Sequence, residues 1–183
     1  MIFKENKPPL LDCAYYPKSV NIPIELYQSA RGSYFMGSAD NLKFSYRNNA
    51  WVRLYNPHRS GVNLFVNVWT VTNGLDGAYT AQFWFNGTPP GTPIPSTQVT
   101  TTNLAIHPPA IPKVRLEFAT GVCGEPEDGI KAFVRNSEGT GTLVETENGK
   151  LIFPPGGSFL ILLSVSDHAQ VGLGRVSLGW WEE

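Results

Sequence analysis

The segment Lys113–Phe118 reads KVRLEF, in which Val114, Leu116 and Phe118 alternate with charged residues. Successive side chains of a β-strand point to opposite faces, so this alternation predicts a strand with one buried face and one solvated face. Short segments of this kind, separated by Gly, Pro and Asn, recur along the chain, and we find no convincing helix pattern. The sequence therefore predicts an all-β fold, a jelly-roll-like antiparallel β-sandwich.

One predicted strand is apolar on both faces. Residues Ser158–Val165 read SFLILLSV, a run with no alternation of apolar and polar side chains. A strand that is buried on both faces belongs in the middle of a sheet whose outer face is also covered. We expect an arm of the chain or a partner to supply that cover.

Turn residues mark where the predicted strands end. Asn-Gly between two extended runs is a strong hairpin signal, because both turn positions require positive φ. We therefore expect Asn148-Gly149 to join a strand at Thr142–Glu147 to a second strand at Lys150–Phe153. Similar reasoning predicts separate strands at Tyr34–Met36 and Leu42–Tyr46.

The N-terminal region differs in composition from the rest of the chain. Prolines at positions 8, 9, 17 and 23 disfavour helix and interrupt regular pairing. The region is nevertheless too apolar to be typical of disorder. We predict an extended Pro-rich arm at residues 1–30 and a sandwich domain at residues 31–183. The arm either packs across its own sandwich or docks on a neighbouring subunit as an added strand.

The two cysteines, Cys13 and Cys123, are too few and too far apart for a CxxC redox or zinc motif. The sequence is consistent with two unpaired thiols, with a disulfide inside the chain, and with a disulfide between subunits. Cys13 lies in the predicted arm, from which it could reach a neighbour.

Aromatic residues on two predicted strands are candidates for a subunit interface. The segment Asn63–Thr72 carries Phe65 and Trp69 on the same face as its asparagines, and Trp84 lies on the strand Tyr79–Asn86. The first face is either half-exposed, with its rings shielded by loops, or part of an oligomer interface, where aromatic residues are enriched. Phe65, Trp69 and Trp84 are therefore the predicted interface residues.

Composition and charge narrow the class of protein. The net charge is −1, from 14 basic and 15 acidic residues, and Lys and Arg form no run, so nucleic acid is not an expected partner. The longest apolar stretch, Phe159–Val165, is too short to span a bilayer. No apolar segment follows Lys4 and Lys7, so a classical export signal is not expected. Only 16% of residues are charged. Such a composition gives a weakly charged surface, which tolerates packing against copies of itself.

Residue types that could carry catalysis or bind metal do not form a motif. His58, His107 and His168 fall in predicted loops at spacings that match no metal site. The acidic turn at residues 125–128 lacks the alternating ligands of an EF-hand, so we interpret it as a surface turn. No G-x-S-x-G nucleophile motif is present. We predict no enzymatic activity, no cofactor and no metal.

Several blocks resemble known families. Residues 54–57 (LYNP) followed by 60–64 (SGVNL) are similar to a strand-turn-strand of bacteriophage head and tail accessory proteins, and so is the end of the chain from residue 154. From near Ser33 onwards the chain also resembles an uncharacterised family of spore-forming bacteria that carries LYNP, FPPGGSF and GWWEE blocks. The resemblance implies a jelly-roll-like module in a repeated assembly and transfers no active site.

These features predict a non-catalytic structural subunit that assembles with copies of itself into an oligomer or filament. The arm would dock on a neighbour through the anchors Leu10, Leu11, Cys13, Tyr15 and Tyr16, with Cys13 as a covalent lock. A phage-derived particle, a cell surface or a spore surface is the favoured setting, where other surface or virion proteins could also bind. The alternative is a module that binds a surface glycan or a host protein through loops 86–97 and 103–112.

Overall fold

The protein folds into two antiparallel sheets packed face to face. The structure, a computed structural model, describes residues 21–168 and 170–183. The five-stranded sheet has the order β6-β1-β11-β3-β9 and the six-stranded sheet the order β5-β7-β2-β10-β4-β8, which confirms the predicted all-β sandwich. In chain order the elements are α1 (Ile24–Ala30), β1 (Tyr34–Ser45), β2 (Asn49–Tyr55), β3 (Leu64–Asn73), β4 (Tyr79–Phe85), β5 (Ile94–Pro95), β6 (Val99–Thr101), β7 (Arg115–Val122), β8 (Ile130–Ser137), β9 (Thr142–Phe153), β10 (Ser158–Ser164) and β11 (Val171–Glu182).

The alternating segment that predicts the fold lies mostly in β7, which begins at Arg115. Leu116 is 2% exposed and packs in the core between the sheets, and Phe118 packs against the same core. Glu117 points the other way and forms an ion pair with Arg53 of β2 at 2.6 Å. The alternation of side chains therefore divides an inward face from an outer face, as the sequence predicts, but Glu117 is only 6% exposed, so the outer face is not solvated at this position.

Strand β10 occupies the centre of the six-stranded sheet, between β2 and β4. Its outer face carries Leu160 and Leu162, which form a second apolar cluster with Trp51, Trp84 and Ala119. The cover over this cluster comes from the sandwich's own loops, since the Trp51 indole N–H donates to the Pro90 carbonyl at 2.7 Å. The prediction of a strand buried on both faces is confirmed.

The predicted hairpin at Asn148-Gly149 is wrong, because β9 is one strand that pairs with β3 on both sides of these residues. The pairing runs from Val66 opposite Leu151 to Val68 opposite Thr146, so residues 147–150 form a bulge opposite a single residue of β3. Asn148 and Gly149 do have positive φ, 51° and 69°. The local conformation was therefore predicted correctly, but it makes a bulge rather than a turn between strands.

Strand β1 shows the same error on a smaller scale. The two predicted strands at its ends are a single strand from Tyr34 to Ser45, and the register with β11 shifts between Ala39 and Leu42. Asn41 takes φ 57° at this shift. A β-bulge absorbs the extra residues and leaves the strand continuous.

Asn67 is an extra residue in β3 and reverses the facing of the strand. In the register with β11, Val66 lies opposite Trp180 and Val68 opposite Gly179, so Asn67 has no counterpart. As a result Phe65 lies on the outer face of the five-stranded sheet whereas Trp69 packs in the core. Strict alternation places the two aromatic residues on one face, and a single bulged residue separates them.

The predicted extended arm at residues 1–30 is incorrect at its C-terminal end, where residues 24–30 form helix α1. Pro23 precedes this helix with φ −56° and ψ 145°, so the chain enters α1 from an extended conformation. Residues 1–20 lie outside the described residues. No helix among the described residues has the length and apolarity needed to cross a membrane.

We predict that Gly149→Ala destabilises the protein more than Gly139→Ala. Both glycines have similar positive φ, 69° and 66°, so both substitutions cost about 1 kcal/mol of backbone strain. A methyl group at Gly149 would also overlap the Trp181 indole, whereas nothing lies within 4 Å of a methyl group at Gly139. Overpacking adds about 1–3 kcal/mol, measurable by denaturant unfolding. Equal losses of stability in the two variants would contradict the packing of the bulge on Trp181.

Candidate interaction surfaces

Helix α1, the loop at residues 102–114 and the end of the chain meet at one corner of the sandwich. The Gln28 side chain donates to the Glu183 carboxylate at 3.2 Å, and the Asn103 side chain donates to the Ala30 carbonyl at 3.2 Å. The backbone N–H of Glu182 donates to the Ser33 carbonyl at 3.1 Å. These bonds fix a short helix that its own seven residues would not stabilise in water.

The Glu182 carboxylate holds this corner together. It is 8% exposed and accepts hydrogen bonds from the backbone N–H groups of Lys113 and Val114 and from the indole N–H of Trp180, at 2.9–3.2 Å. A carboxylate is seldom this buried unless several donors satisfy it. Sequence reasoning has no signal for this role, because acidic residues at the end of a chain are usually solvated.

The corner exposes apolar side chains, which we call the corner patch. On α1 the buried residue is Gln28, at 1%, while Ile24, Leu26 and Tyr27 are 41–55% exposed. This helix turns its apolar residues toward solvent, the reverse of a helix that stabilises its own fold. The corner patch consists of Ile22, Ile24, Leu26, Tyr27, Leu104 and Ile111.

An aromatic layer covers the outer face of the five-stranded sheet beside α1. Trp181 stacks on Phe65 with ring centroids 5.3 Å apart and on Tyr34 at 6.4 Å. The Asn67 side-chain NH₂ donates to the Tyr34 hydroxyl at 2.7 Å. Burial raises the pKa of the Tyr34 hydroxyl, and the nearby Glu25 carboxylate raises it further, against a smaller lowering by Asn67.

The opposite lateral side of the sandwich, which we call the open side, is formed by β8 and β9. These strands are the last members of their respective sheets, and residues 138–141 join them directly. Among the described residues each pairs on one edge only, β8 with β4 and β9 with β3. Apolar side chains are exposed along both strands: Ile130 at 66%, Val134 at 42% and Val144 at 59%. Unpaired edges of this kind can add a further strand.

The structure separates the predicted site residues. The predicted arm anchors Leu10, Leu11, Cys13, Tyr15 and Tyr16 lie outside the described residues. Trp69 is 1% exposed and packs on Phe83 in the core, so its ring offers no surface to a second subunit in this conformation. Trp84 is 9% exposed, with Lys131 above its ring at 4.9 Å. Phe65 is half-buried beneath the stack with Trp181.

Tryptophan burial bears on the glycan-binding alternative. The chain has five tryptophans, and all of them are 9% exposed or less. A sugar-binding platform needs an open aromatic face, which none of these rings presents.

The acidic turn is tied to the rest of the fold. The Glu125 carboxylate accepts from the Gln82 side chain at 2.8 Å and from Lys131 at 3.0 Å, and these two bonds lower its pKa. The backbone of Glu127 pairs with Thr88. Within residues 21–168 and 170–183, His, Cys, Asp and Glu side chains form no group of three that could hold a metal ion.

Cys123 is exposed, and its thiol lies 3.5 Å from the Asn48 side-chain oxygen.

A protein-family model matches residues 14–183, a range that contains α1, both sheets, the corner patch and the open side. The model is described as DUF6143, a family of unknown function. The chain belongs to DUF6143. No curated protein and no solved structure matches this DUF6143 protein. Its function must therefore be argued from its own surfaces.

We predict that Tyr34→Phe lowers the free energy of unfolding at neutral pH. We also expect that free energy to fall less steeply with rising pH in the variant than in the wild-type protein. At neutral pH the variant leaves the buried Asn67 donor unpaired, which costs about 1–3 kcal/mol. Because the pKa of folded Tyr34 lies above the unfolded value of about 10, the stability it contributes is complete below that pH and is lost as pH rises through the folded pKa.

Denaturant unfolding at a series of pH values between about 9 and 11 measures this effect. Burial also raises the pKa of Tyr79, so the alkaline loss should become shallower in Tyr34→Phe without disappearing. Parallel curves for the wild-type protein and the variant would show that Tyr34 does not titrate differently in the folded state.

Proposed function

We propose that this DUF6143 protein is a non-catalytic structural subunit that self-assembles, with the N-terminal segment of one copy docking on the corner patch of a neighbouring copy. The exposed apolar face of α1 is the observation that supports this proposal. The low content of charged residues, 16%, is consistent with a surface that packs against copies of itself.

The corner patch has enough apolar area to favour a contact. Leu26 is 55% exposed, Leu104 69% and Ile111 86%. Fully burying a side chain of this size contributes about 1.5–3 kcal/mol relative to leaving it exposed. A partner that covers several of these side chains therefore gains a useful part of the free energy of association.

The N-terminal segment has the composition of such a partner. Residues 1–20 carry the apolar side chains of Leu10, Leu11, Tyr15 and Tyr16 and lie immediately before the patch in the chain. Pro17 and Pro23 favour extended backbone in the residues that precede them. Residues 21–23 are exposed and Pro23 is extended. An exposed, extended entry to α1 is compatible with a segment that docks on a neighbouring copy.

The setting we propose is a repeated assembly, in a phage-derived particle or on a cell or spore surface. The support is the resemblance of residues 54–64 and 154–183 to blocks of phage accessory proteins and of a family of spore-forming bacteria. Cys13 would then serve as a covalent lock between subunits, which electron microscopy with and without reductant tests.

We predict that deleting residues 1–18 leaves a folded protein that no longer grows into larger particles. The deleted segment makes the proposed contact with the neighbour, whereas the core residues that the structure describes, from Phe35 to Trp180, all lie later in the chain. Light scattering after size exclusion gives the mass of the particles, and circular dichroism reports folding. Assembly that is unchanged by the deletion would reject the arm, and a monomeric wild-type protein that the deletion destabilises would show that the segment covers its own subunit.

We predict that Leu26→Asp in the full chain also prevents growth into larger particles, whereas Leu75→Asp does not. Leu26 is 55% exposed in the corner patch and Leu75 is 41% exposed in the turn after β3, so both substitutions should be tolerated by the fold. A charge at Leu26 would be buried by the docked segment and left unpaired, which disfavours docking. Equal effects of the two variants on particle mass would contradict docking at the corner patch.

A further inference from the structure

The open side carries opposite charges on its two edge strands. Arg135 of β8 lies opposite Ala81, and Glu145 of β9 lies opposite Trp69; both of these partners are buried in the core. Because directly opposed residues of an antiparallel pair share a face, Arg135 and Glu145 both belong to the inward faces of their sheets. Both are exposed, because no strand of residues 21–168 and 170–183 continues the sheets beyond them.

Within the part of the chain that the structure describes, Arg135 and Glu145 do not pair with each other. The ion pairs found there join Arg53 to Glu117 and Lys131 to Glu125. The Arg135 guanidinium instead lies over the Phe133 ring at 5.1 Å and donates to the Val134 carbonyl at 3.2 Å.

Inward charges on edge strands decide which strand can be added there. An added neutral strand would extend the sheet and bury Arg135 or Glu145 without a counter-charge, which is costly. A strand that brings the opposite charge on the same face removes that cost. The open side of a second copy supplies both charges, since it has one basic edge and one acidic edge.

We infer that the open side is a two-fold interface between copies, in which β8 of each copy pairs antiparallel with β9 of the other. The inference rests on the proposed self-association but not on the N-terminal segment. Strands β8 and β9 run in opposite directions because residues 138–141 connect them directly. A two-fold axis parallel to the strands, midway between the sheets, therefore brings each β8 beside the other copy's β9 in antiparallel orientation.

The bulges, and the need for inward residues to lie opposite inward residues, restrict the register between β8 of one copy and β9 of the other. In β8 the register shift between Lys131 and Phe133 leaves residues 133–137 in regular pairing with β4. In β9 the large bulge leaves residues 142–146 in regular pairing with β3. Inward residues must pair with inward residues, because a slip of one position would turn one strand over. The register with Arg135 opposite Glu145 satisfies this rule, and it places Ser137 opposite Leu143 and Asn136 opposite Val144.

The other two-fold arrangement, with an axis perpendicular to the sheets, pairs like with like. It would place β8 beside β8 and β9 beside β9, so that the edge with Arg135 faces its own copy and the edge with Glu145 faces its own copy. Like charges directly opposite each other in a sheet are destabilising, and opposite charges are stabilising. Charge complementarity therefore favours β8 with β9.

Charge reversal in the full-length protein tests this pairing. We expect Arg135→Glu to raise the dissociation constant of the dimer at least about tenfold, because it sets two acidic residues against each other in both ladders. The double variant Arg135→Glu with Glu145→Arg should restore association, since the pair is exchanged rather than removed. Arg175→Glu is the matched control, because Arg175 is exposed on β11, far from both edges. Sedimentation velocity over a concentration series gives the constants.

Several outcomes would overturn the inference. If Arg135→Glu associates like the wild-type protein, or the double variant is no tighter than Arg135→Glu, β8 does not pair with β9. If a mixture of Arg135→Glu and wild type associates more tightly than either alone, like strands pair instead. A wild-type protein that stays monomeric throughout rejects the proposed function as well. Association that is lost in Leu26→Asp but unchanged in Arg135→Glu rejects the strand pairing alone and leaves the proposed function standing.

Discussion

A single buried carboxylate connects the two sheets at the corner on which the proposed function depends. Glu182 ends the central strand of the five-stranded sheet, and its side chain accepts the backbone N–H groups of Lys113 and Val114, just before β7 of the other sheet. Its own backbone N–H holds Ser33, the link between α1 and β1. Removing this buried acceptor would leave its donors unsatisfied, so Glu182 links the end of the loop at residues 102–114 and the start of β1 to the end of β11.

The fold could be predicted from sequence wherever one pattern of apolar and polar residues holds along a whole strand. Alternation identifies β7, and continuous apolarity identifies β10 at the centre of its sheet. The predictions fail where a bulge shifts the alternation of inward and outward side chains. Asn148-Gly149 has the local signal of a hairpin, but the Trp181 ring against which Gly149 packs comes from a distant part of the chain. Helix α1 is short and is stabilised by contacts to residues 103 and 183, so its own sequence carries little signal.

The candidate surfaces were harder to predict than the fold, because exposure depends on strand order. Phe65 and Trp69 look equivalent under strict alternation, and the bulge at Asn67 puts one outside and the other in the core. Arg135 and Glu145 look like solvated residues of ordinary half-buried strands. Only the order of the strands shows that both belong to inward faces at the edge of the sandwich.

The two proposed contacts lie on opposite lateral sides of the sandwich, and this placement determines the kind of assembly they can build. The corner patch adjoins β6 and β1 through the hydrogen bond between the Ser29 and Thr102 hydroxyls, whereas β9 closes the far edge of the same sheet. Four inter-strand steps separate β6 from β9, about 19 Å.

A two-fold interface at the open side alone is self-complementary and stops at a dimer. Docking of an N-terminal segment on the corner patch of a different copy is a heterologous contact, which does not satisfy itself. Each dimer would carry two N-terminal segments and would present its two corner patches on sides that face away from the two-fold axis. Together the two contacts therefore link dimers into chains or rings, and either contact alone would produce a different particle.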